Sequence, residues 1–475
     1  MKYLIVFFFY FFTSNSFSQT VEELLKNSQQ NISLNNFEIA LIDINKVIAI
    51  DSHNLEAFVL KGLVESKMGK YEQAIDDFQR AKAIDSTNVN PYAYAGQVKF
   101  DYGDYYGAIH ELNIAAKLDS NYIVVFNQRG LAKMKINDFD GALTDFNRAM
   151  NLYEKNGTPH FLAFYYRGIA YKETGDFQKS LADLTTSIKM DSTYYLAYYQ
   201  RGIVNNELEN YSNSLIDFNK AFKIQIDSSF YFFQGYTKYM LAEYSAAIED
   251  FNLAIKDDST LYDSYYYRGM AHLNLNENNE ALSDFNKVLQ LSPNLEMGYF
   301  YKSLAQKKLA NYSGSIESLD KAILLNPNQF GYYYNRGNNK LELQDYEGAY
   351  SDFSKSIELN PTNNIAYYNR GLSLVYLSRY SMALEDFNKT ISQNSNDINS
   401  YYYRSISKYF LEDYKGSIKD MNVVINNSPE FAESYYYRAW ARIKLNLKEE
   451  GCSDSKQAKE LGYDVKDEEI KKNCD

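Results

Sequence analysis

The sequence has few of the residues from which catalytic and metal sites are usually built. It contains 4 His and 2 Cys in 475 residues, and no Cys or carboxylate accompanies a His at ligand spacing, although a metal site needs three or four converging ligands. A Gly-rich phosphate loop, a nucleophile elbow and a His-Glu-x-x-His pattern are also missing. These absences predict a protein that is not an enzyme and that uses no metal and no cofactor.

Positive charge is in deficit, because 49 Lys and Arg face 61 Asp and Glu and leave a net charge of −12. Affinity for nucleic acid depends mainly on Lys and Arg that neutralise phosphates, so no nucleic-acid partner is expected. Apolar residues nevertheless make up 45% of the chain, which is typical of a folded protein. The composition therefore predicts a folded chain that does not bind nucleic acid.

Long hydrophobic runs are absent after the first twelve residues. At the start, Lys2 precedes an apolar run over residues 3–12, and Ser16 and Ser18 supply small side chains for cleavage before position 19. This arrangement is typical of an export signal, and the run is too short for a helix that needs about 20 residues to span a bilayer. We therefore expect residues 1–18 to be a cleaved signal peptide. The protein should be exported to the periplasm or the extracellular space, without membrane insertion after cleavage.

Aromatic side chains and internal repetition are what the sequence has in abundance. It contains 47 Tyr and 29 Phe, and a Tyr-Tyr-x-Arg-Gly phrase recurs along most of its length. The Gly of this phrase, or a small residue in its place, recurs at a spacing of 34 residues, with one interval of 38 and one of 33. A fixed period of this length indicates a helical repeat protein. The thirteen anchor positions are Ser28, Gly62, Gly96, Gly130, Gly168, Gly202, Gly235, Gly269, Ser303, Gly337, Gly371, Ser405 and Ala439.

Each period has the pattern of two helices joined by a turn. A small residue follows most anchors after twelve positions and an aromatic residue follows after sixteen, as in Ala74 and Phe78. Small side chains let two helices approach closely, and the aromatic ring fills the remaining space. Turn residues such as Gly69 lie between the two helices, and Pro closes several units, as at Pro293. The pattern therefore predicts a series of helix hairpins.

These features resemble the tetratricopeptide repeat, in which an anchor Gly is followed by a small residue, an aromatic residue, an Ala and a closing Pro at these distances. The resemblance covers essentially the whole mature chain. It implies an all-α, right-handed superhelical solenoid of about thirteen helix-turn-helix units, whose inner wall is formed by the first helix of every unit and binds proteins or peptides. One position departs from the family, because the residue before the anchor is usually apolar there and is mostly Arg here.

The repeats set the expected domain organisation. A signal peptide over residues 1–18 is followed by a solenoid over residues 19–465 and by a polar capping helix over residues 466–475. The repeats are numbered 1 to 13 from the N-terminus. Their expected ranges are 21–54, 55–88, 89–122, 123–160, 161–194, 195–227, 228–261, 262–295, 296–329, 330–363, 364–397, 398–431 and 432–465.

Arg precedes the anchor in eight repeats, and each of these Arg residues has an Asp sixteen positions later. In an antiparallel hairpin the two positions lie nearly opposite each other, so a charge-assisted hydrogen bond can form. An Arg with its own Asp is already neutralised, which favours a structural ion pair over an anion receptor. The expected pairs are Arg129/Asp145, Arg167/Asp183, Arg201/Asp217, Arg268/Asp284, Arg336/Asp352, Arg370/Asp386, Arg404/Asp420 and Arg438/Asp454.

Both Cys residues lie near the end of the sequence. Cys452 comes ten residues before the turn at Gly462 and Tyr463, and Cys474 comes eleven residues after it. If the helices on the two sides of this turn run antiparallel, the two side chains meet. An oxidising compartment would favour a bond between them, so we expect a Cys452–Cys474 disulfide, with two buried free thiols as the alternative.

In the tetratricopeptide family, ligand contacts come from places six and three before the anchor and one, four and five after it. In this chain these places are polar in repeats 2 and 3 and become apolar later. The resemblance therefore implies a groove for an extended segment or an amphipathic helix in the C-terminal half, with packing against the next hairpin as the alternative use of these side chains. The expected groove residues are Phe232, Tyr236, Tyr239, Met240, Tyr368, Leu372, Val375, Tyr376, Tyr402, Ile406, Tyr409 and Phe410.

Three functions remain open at this point. The leading hypothesis is a non-enzymatic scaffold that binds a protein or peptide outside the cytoplasm. The second is a carbohydrate-binding protein, in which Tyr rings stack on sugars of a cell wall or surface glycan. The third is a structural spacer with no selective ligand. Polar partners for a sugar would be Asn206, Glu207, Asn338 and Glu342.

Overall fold

The computed structural model describes residues 20–464 and residues 470, 472 and 474. Within these residues every regular element is helical and no strand is present. The chain divides after Asp227 into two compact parts, called here the N-terminal part and the C-terminal part. The expected signal peptide over residues 1–18 lies outside the described residues.

The described residues of the N-terminal part, 20–227, form six helix hairpins, each made of an odd-numbered helix and the even-numbered helix that follows it. Polar caps start several of these helices, as at Asp104, whose side chain accepts a hydrogen bond from the Gly107 amide. The helices are α1 (Val21–Ser33), α2 (Phe37–Ile50), α3 (Leu55–Lys67), α4 (Tyr71–Ile84), α5 (Val89–Tyr102), α6 (Tyr105–Leu118), α7 (Ile123–Lys135), α8 (Phe139–Lys155), α9 (Phe161–Glu173), α10 (Phe177–Met190), α11 (Tyr195–Glu207) and α12 (Tyr211–Ile224).

The C-terminal part begins with a short 3-10 helix and continues with seven hairpins of the same kind. Its elements are the 3-10 helix Ser228–Phe230, α13 (Tyr231–Met240), α14 (Tyr244–Asp257), α15 (Tyr262–Asn274), α16 (Asn278–Leu291), α17 (Glu296–Lys308), α18 (Tyr312–Leu325), α19 (Phe330–Glu342), α20 (Tyr346–Leu359), α21 (Asn364–Tyr376), α22 (Tyr380–Gln393), α23 (Ile398–Phe410), α24 (Tyr414–Asn427), α25 (Ala432–Lys444) and α26 (Lys448–Glu460).

The described helices confirm the expected all-α fold of about thirteen helix-turn-helix units. The right-handed superhelix, which concerns the course of the whole chain, stays a prediction. Of the expected capping helix over residues 466–475, the structure describes Ile470, Lys472 and Cys474, and each of these is helical. None of the described helices combines the length and the apolar character needed to cross a membrane.

Close approach of the two helices in a hairpin depends on the small anchor residue. In repeat 6, a Cβ added to Gly202 would lie 2.8 Å from Cε1 of Phe218, and the ring of Phe218 is fully buried. Where the anchor is Ser303 or Ser405, the residue sixteen positions later is not Phe but Leu319 or Met421. Leu also faces the anchors Gly96 and Gly168, but Phe occurs only opposite a Gly anchor, because its ring fills the space that the absent Cβ leaves.

The turn inside each hairpin places the seventh residue after the anchor in the left-handed region of backbone conformation. Glycine adopts this conformation without a steric penalty, but only three repeats use it, at Gly69, Gly103 and Gly175. The other ten repeats place a side chain there with φ between 56° and 63°. These residues are Asn35, Asn137, Glu209, Ala242, Asn276, Ala310, Gln344, Ser378, Glu412 and Asn446.

The structure brings all eight expected Arg/Asp pairs together within their hairpins. The Arg side chain donates from Nε and Nη2 to the two carboxylate oxygens, as in Arg167, whose nitrogens lie 2.7 and 2.8 Å from the oxygens of Asp183. Two parallel hydrogen bonds to a buried carboxylate fix the register of the two helices. The eight Asp residues, all between 1% and 6% exposed, are Asp145, Asp183, Asp217, Asp284, Asp352, Asp386, Asp420 and Asp454.

In five of these eight hairpins the buried Asp has a second basic neighbour besides its Arg. The third residue after the anchor is basic there, and it lies one helical turn beyond the Arg, so it faces the same carboxylate. In repeat 8 this residue is His272, whose Nε2 lies 3.9 Å from Oδ2 of Asp284. The other four contacts are Lys133 with Asp145, Lys340 with Asp352, Lys408 with Asp420 and Arg442 with Asp454. The expected Arg partner is present in each case, and buried Asp145, Asp284, Asp352, Asp420 and Asp454 each have a second basic neighbour that the sequence analysis did not identify.

Each of the eight Arg residues also contacts the preceding hairpin, which the sequence argument did not predict. The remaining nitrogen, Nη1, donates to a polar side chain on the second helix of the preceding repeat, as in Arg404, which lies 2.8 Å from Oδ1 of Asn388. We call this three-way arrangement the arginine clamp. The acceptors, in chain order, are Asn113, Asn147, Thr185, Asn252, Asp320, Ser354, Asn388 and Asn422.

The recurring Tyr residues pack around the arginine clamp. The aromatic residue three positions before each Arg lies under the guanidinium, with 5.0 Å between Cζ of Arg404 and the ring centre of Tyr401. In three of these repeats the residue directly before the Arg is a Tyr that stacks on the buried Phe of the preceding repeat. These stacks are Tyr166 on Phe146, Tyr267 on Phe251 and Tyr403 on Phe387, the last with ring planes 18° apart. The phrase Tyr-Tyr-x-Arg-Gly thus encodes contacts between hairpins as well as within them.

The two Cys residues lie close together at the end of the C-terminal part. Their Cα atoms are 5.2 Å apart, a separation that a disulfide can bridge. Ile470 is buried against Ile443 and Ala458, and Cys474 packs against the same cluster. The bond itself stays a prediction.

Removing Arg370 should show what the arginine clamp contributes, because no second cation contacts its partner Asp386 among the described residues. We expect R370M to lower the local free energy of unfolding of repeat 11 by about 3 kcal/mol, since a buried carboxylate loses its charge partner. Amide hydrogen exchange in α21 and α22 measures this quantity. R404M is the matched control, because Lys408 stays 2.7 Å from Asp420 and should limit the loss. Equal losses in both variants would contradict the explanation.

Glycine at a left-handed turn position should stabilise the hairpin. Ala310 has a φ of 57°, and relief of this strain should outweigh the larger entropy of the unfolded chain, so we expect A310G to add about 0.5 to 1 kcal/mol. G69A, at a φ of 75°, should cost a similar amount. Urea unfolding followed by circular dichroism measures both changes. A loss of stability in A310G would show that the turn is not strained.

Candidate ligand-binding wall

The first expected patch of groove residues lies on α13, and three of its four side chains pack against the next hairpin. Phe232, Tyr236 and Tyr239 have ring centres 6.1, 5.1 and 5.7 Å from that of Tyr267 on α15. Met240 differs, because its side chain remains exposed at the end of the helix. The structure thus uses most of this patch for contacts between repeats.

The second, larger patch lies on α21 and α23, and much of it is also packed. Tyr368 contacts Tyr403, Tyr402 contacts Tyr437, and Tyr409 stacks on Trp440 at 5.1 Å. Ile406 is buried, Val375 packs against the same core, and Leu372 is half-buried. These side chains join the first helices of repeats 11, 12 and 13 into a continuous wall.

Two residues of the second patch remain largely exposed. Tyr376 is 52% exposed and Phe410 is 47% exposed. Each ring stacks on the first residue of the preceding second helix, Tyr376 on Tyr346 at 4.6 Å and Phe410 on Tyr380 at 4.5 Å. The planes within each pair are 16° and 10° apart. We call these two stacked pairs the aromatic edge.

The aromatic edge could not be identified from the groove positions alone. Its signal in the sequence is an aromatic residue nine positions after one anchor combined with an aromatic residue five positions after the next anchor. Exposed Leu343 and Leu411 lie at the C-caps of α19 and α23, at the same ends of their helices as Phe410. This end of the wall therefore exposes apolar side chains in neighbouring repeats.

Charge around the aromatic edge is balanced locally. Arg379 lies 2.9 Å from Glu347, and its guanidinium sits 5.6 Å from the ring centre of Tyr350. This ion pair is exposed and contributes little to stability. Burial raises the pKa of Tyr368 and of Tyr402, so these hydroxyl groups stay neutral and can donate hydrogen bonds within the wall.

The residues considered for sugar binding occupy two different helices. Asn206 and Glu207 lie on α11 of the N-terminal part, the first buried and the second exposed. Asn338 and Glu342 lie on α19 of the C-terminal part, where Asn338 accepts a hydrogen bond of 2.8 Å from Asn369. In the part of the chain that the structure describes, no group of three or more His, Cys, Asp or Glu side chains could hold a metal ion.

In the early repeats the groove positions carry polar side chains, and some of these side chains form hydrogen bonds with other polar side chains. Glu56 accepts a hydrogen bond of 2.8 Å from Gln29, and Gln97 donates one of 2.8 Å to Asp101. Apolar exposure on the wall is accordingly a feature of the later repeats. The candidate site is therefore the aromatic edge together with the wall beside it.

Solved structures of helical repeat proteins align with this chain, but with low TM-scores. A chain of the APC/C hetero-tetramer Cut9–Hcn1 is 13% identical, with 96% of each chain aligned and a TM-score of 0.39. A tetratricopeptide repeat protein from Parabacteroides merdae is 20% identical over 52% of this chain and 97% of its own, with a TM-score of 0.38. YrrB, described as a TPR protein with an unusual peptide-binding site, is 18% identical over 38% and 92%, with a TM-score of 0.36. These scores are too low to support an argument about function.

The repeat itself gives the family. A model described as tetratricopeptide repeat matches residues 262–295, and a second with the same description matches residues 55–88 and 330–363. No curated protein matches the sequence. The matched segments contain the same anchor, turn and helix pair that recur in the other repeats. Three of the thirteen repeats therefore belong to the tetratricopeptide-repeat family, and the remaining repeats share their pattern.

Proposed function

We propose that the protein is a non-enzymatic scaffold that binds a protein or peptide partner at the aromatic edge of its C-terminal part. The observation that supports this proposal is the pair of exposed aromatic stacks, Tyr346 with Tyr376 and Tyr380 with Phe410. Large apolar rings are costly to leave in water, and exposed aromatic anchors in a rigid setting are typical of binding hot spots.

Stacking prepares the aromatic edge for binding. Each exposed ring is held by a partner on the neighbouring repeat, so less side-chain freedom is lost when a ligand covers it. The wall behind the rings is fixed by packed contacts such as Tyr409 with Trp440. A partner of matching chemistry is an extended segment or an amphipathic helix that places one apolar side chain against each stacked pair.

We also propose that this scaffold acts outside the cytoplasm, in the periplasm or the extracellular space. The support comes from the sequence of residues 1–18 and from the short distance between Cys452 and Cys474. A disulfide between these residues would persist only in an oxidising compartment. It would close a loop at the end of the chain and add about 3 kcal/mol to stability.

Replacing Tyr376 and Phe410 together by Ala tests the proposed site. Selection of peptides from a displayed random library gives a probe, and its affinity for the double variant should fall by about 2 kcal/mol or more, because both anchors are lost. Y106A is the matched control, since Tyr106 is an exposed aromatic residue on α6, 74% exposed and outside the wall. Its affinity for the probe should be unchanged.

The outcomes of this experiment separate the alternatives. Unchanged affinity with an intact helical spectrum would remove the aromatic edge as the site. Loss of the helical spectrum in the double variant would assign these rings to packing. Selective binding on a glycan array, lost in the double variant, would favour a carbohydrate ligand instead. The absence of any selected peptide or glycan would favour a structural spacer.

The proposed location makes a prediction about the mature protein. Expressed with its first residues intact, the protein should be recovered from the extracytoplasmic fraction with an N-terminus at Gln19, as determined by mass spectrometry. Alkylation after unfolding without reductant should leave Cys452 and Cys474 unlabelled. Recovery of a cytoplasmic protein that retains residues 1–18 would contradict the proposed location. Labelling of both Cys residues would contradict the proposed disulfide.

A further inference from the structure

Five repeats place a strong base, Lys or Arg, at the third residue after the anchor and direct it at the buried Asp of their hairpin. The basic nitrogen lies between 2.5 and 2.9 Å from a carboxylate oxygen. The base lies on the first helix, which carries the anchor, and its positive charge balances the buried carboxylate on the second helix. The five pairs are Lys133/Asp145, Lys238/Asp250, Lys340/Asp352, Lys408/Asp420 and Arg442/Asp454.

Repeat 2 has an acid where these repeats have a base. Glu65 is the third residue after the anchor Gly62, and Lys61 stands where other repeats have Arg. Nζ of Lys61 lies 2.9 Å from Oδ2 of Asp77 and 3.7 Å from Oε1 of Glu65. One ammonium group therefore serves two carboxyl groups in the hairpin of α3 and α4.

Both carboxyl groups are buried. Glu65 is 8% exposed and Asp77 is 3% exposed, and Oε2 of Glu65 accepts no hydrogen bond from the residues that the structure describes. Burial disfavours the charged form of a carboxyl group, and a neighbouring carboxylate disfavours it further. A proton held between the two groups removes one of the two negative charges.

Apart from Arg80, which reaches Asp77 from the surface, the charged groups on the neighbouring helices pair elsewhere or are exposed. Nη1 of Arg80, on α4, lies 3.9 Å from the other oxygen of Asp77, and its side chain is mostly exposed. On α2, Asp43 pairs with Lys46, and on α5, Lys99 pairs with Glu111. The charged residues of α1 are exposed, namely Glu22, Glu23 and Lys26.

The direction of the pH effect follows from the pKa of Glu65. Burial, together with the adjacent Asp77, raises this pKa from 4.5 to about 7, while Lys61 acts in the opposite direction. The folded state therefore keeps a proton that the unfolded state has released. A raised folded-state pKa gives stability that is complete below the unfolded value and is lost as the pH rises through about 7.

We propose that Glu65 and Asp77 share a proton and act as a pH-sensitive latch that holds α3 against α4 in repeat 2. The latch is closed in acidic solution, loosens as the pH rises from 4.5 to about 7, and changes no further in alkaline solution. Helix α3 also carries Glu56, Ser66 and Lys67 at the groove positions of this repeat. The latch thus makes the wall of the N-terminal part responsive to pH, whatever ligand the C-terminal part binds.

Amide hydrogen exchange of the full chain between about pH 5 and about pH 9, corrected for the intrinsic rate, tests the latch. The opening constant of α3 and α4 should rise with pH by up to about tenfold per unit until the pH reaches about 7. Helices α19 and α20 serve as the internal reference, because Lys340 occupies the corresponding position there. Their opening constant should stay flat over the same range.

Three variants make the test specific. E65Q cannot ionise and E65K restores the second cation, so both should remove the pH dependence of α3 and α4. D76N changes an exposed carboxylate next to Asp77 and should keep the profile of the unmodified protein. A flat profile in the unmodified protein, or an unchanged slope in E65Q, would overturn the proposal. If E65Q does not fold, an unchanged slope in E65K overturns it equally.

Discussion

The arginine clamp is the interaction on which the stacking of eight of the thirteen repeats depends. In each of eight repeats one planar guanidinium makes two hydrogen bonds to the Asp of its own hairpin and a third to the preceding hairpin, as in the contacts of Arg404 with Asp420 and Asn388. Lys could not make this set of bonds, because it lacks the rigid fork of donors. In a repeat protein each unit contacts only its neighbours, so a side chain that joins two units sets how they stack.

The clamp explains why the chain needs so many aromatic residues. One ring lies against the guanidinium, another stacks on the Phe of the preceding repeat, and a third packs toward the next hairpin, as Tyr401, Tyr403 and Tyr402 do in repeat 12. Each ring excludes water from the buried charges and adds apolar area between repeats. Little aromatic surface is then left for a ligand, which concentrates exposure at the aromatic edge.

Departures from the clamp are as informative as the clamp itself. Repeat 9 has Lys302 and Ser318 in the two positions, and Ser318 instead donates to Gln306. Repeat 2 keeps the Asp but places Lys61 and a second acid, Glu65, beside it, with only the mostly exposed Arg80 as a further base. Because the frame of anchor, turn and aromatic residue is unchanged, such repeats still form hairpins. Their buried charges differ, and local stability and pH response can therefore vary along one uniform fold.

The sequence by itself determined the hairpins, their number and the residues of the eight ion pairs, because these depend on spacings within one repeat. The anchor Gly lies sixteen residues before an aromatic ring, and the Arg lies sixteen residues before an Asp. Residues at this distance can face each other only if the two helices run antiparallel. The third bond of each Arg was missed, although a polar residue lies on the second helix of every preceding repeat. The second base on Asp145, Asp352 or Asp454 was missed as well, although its spacing from the anchor is constant.

The tertiary structure decided which groove positions are available to a ligand. Phe232, Tyr239 and Tyr402 occupy places that the helical period assigns to the inner wall, yet their rings pack on the next repeat, while Tyr376 and Phe410 stay exposed. The groove positions of one helix face both the inner wall and the neighbouring hairpin. Which side a ring takes depends on the rotation between successive repeats, and that rotation is set by contacts between repeats that no spacing within one repeat encodes.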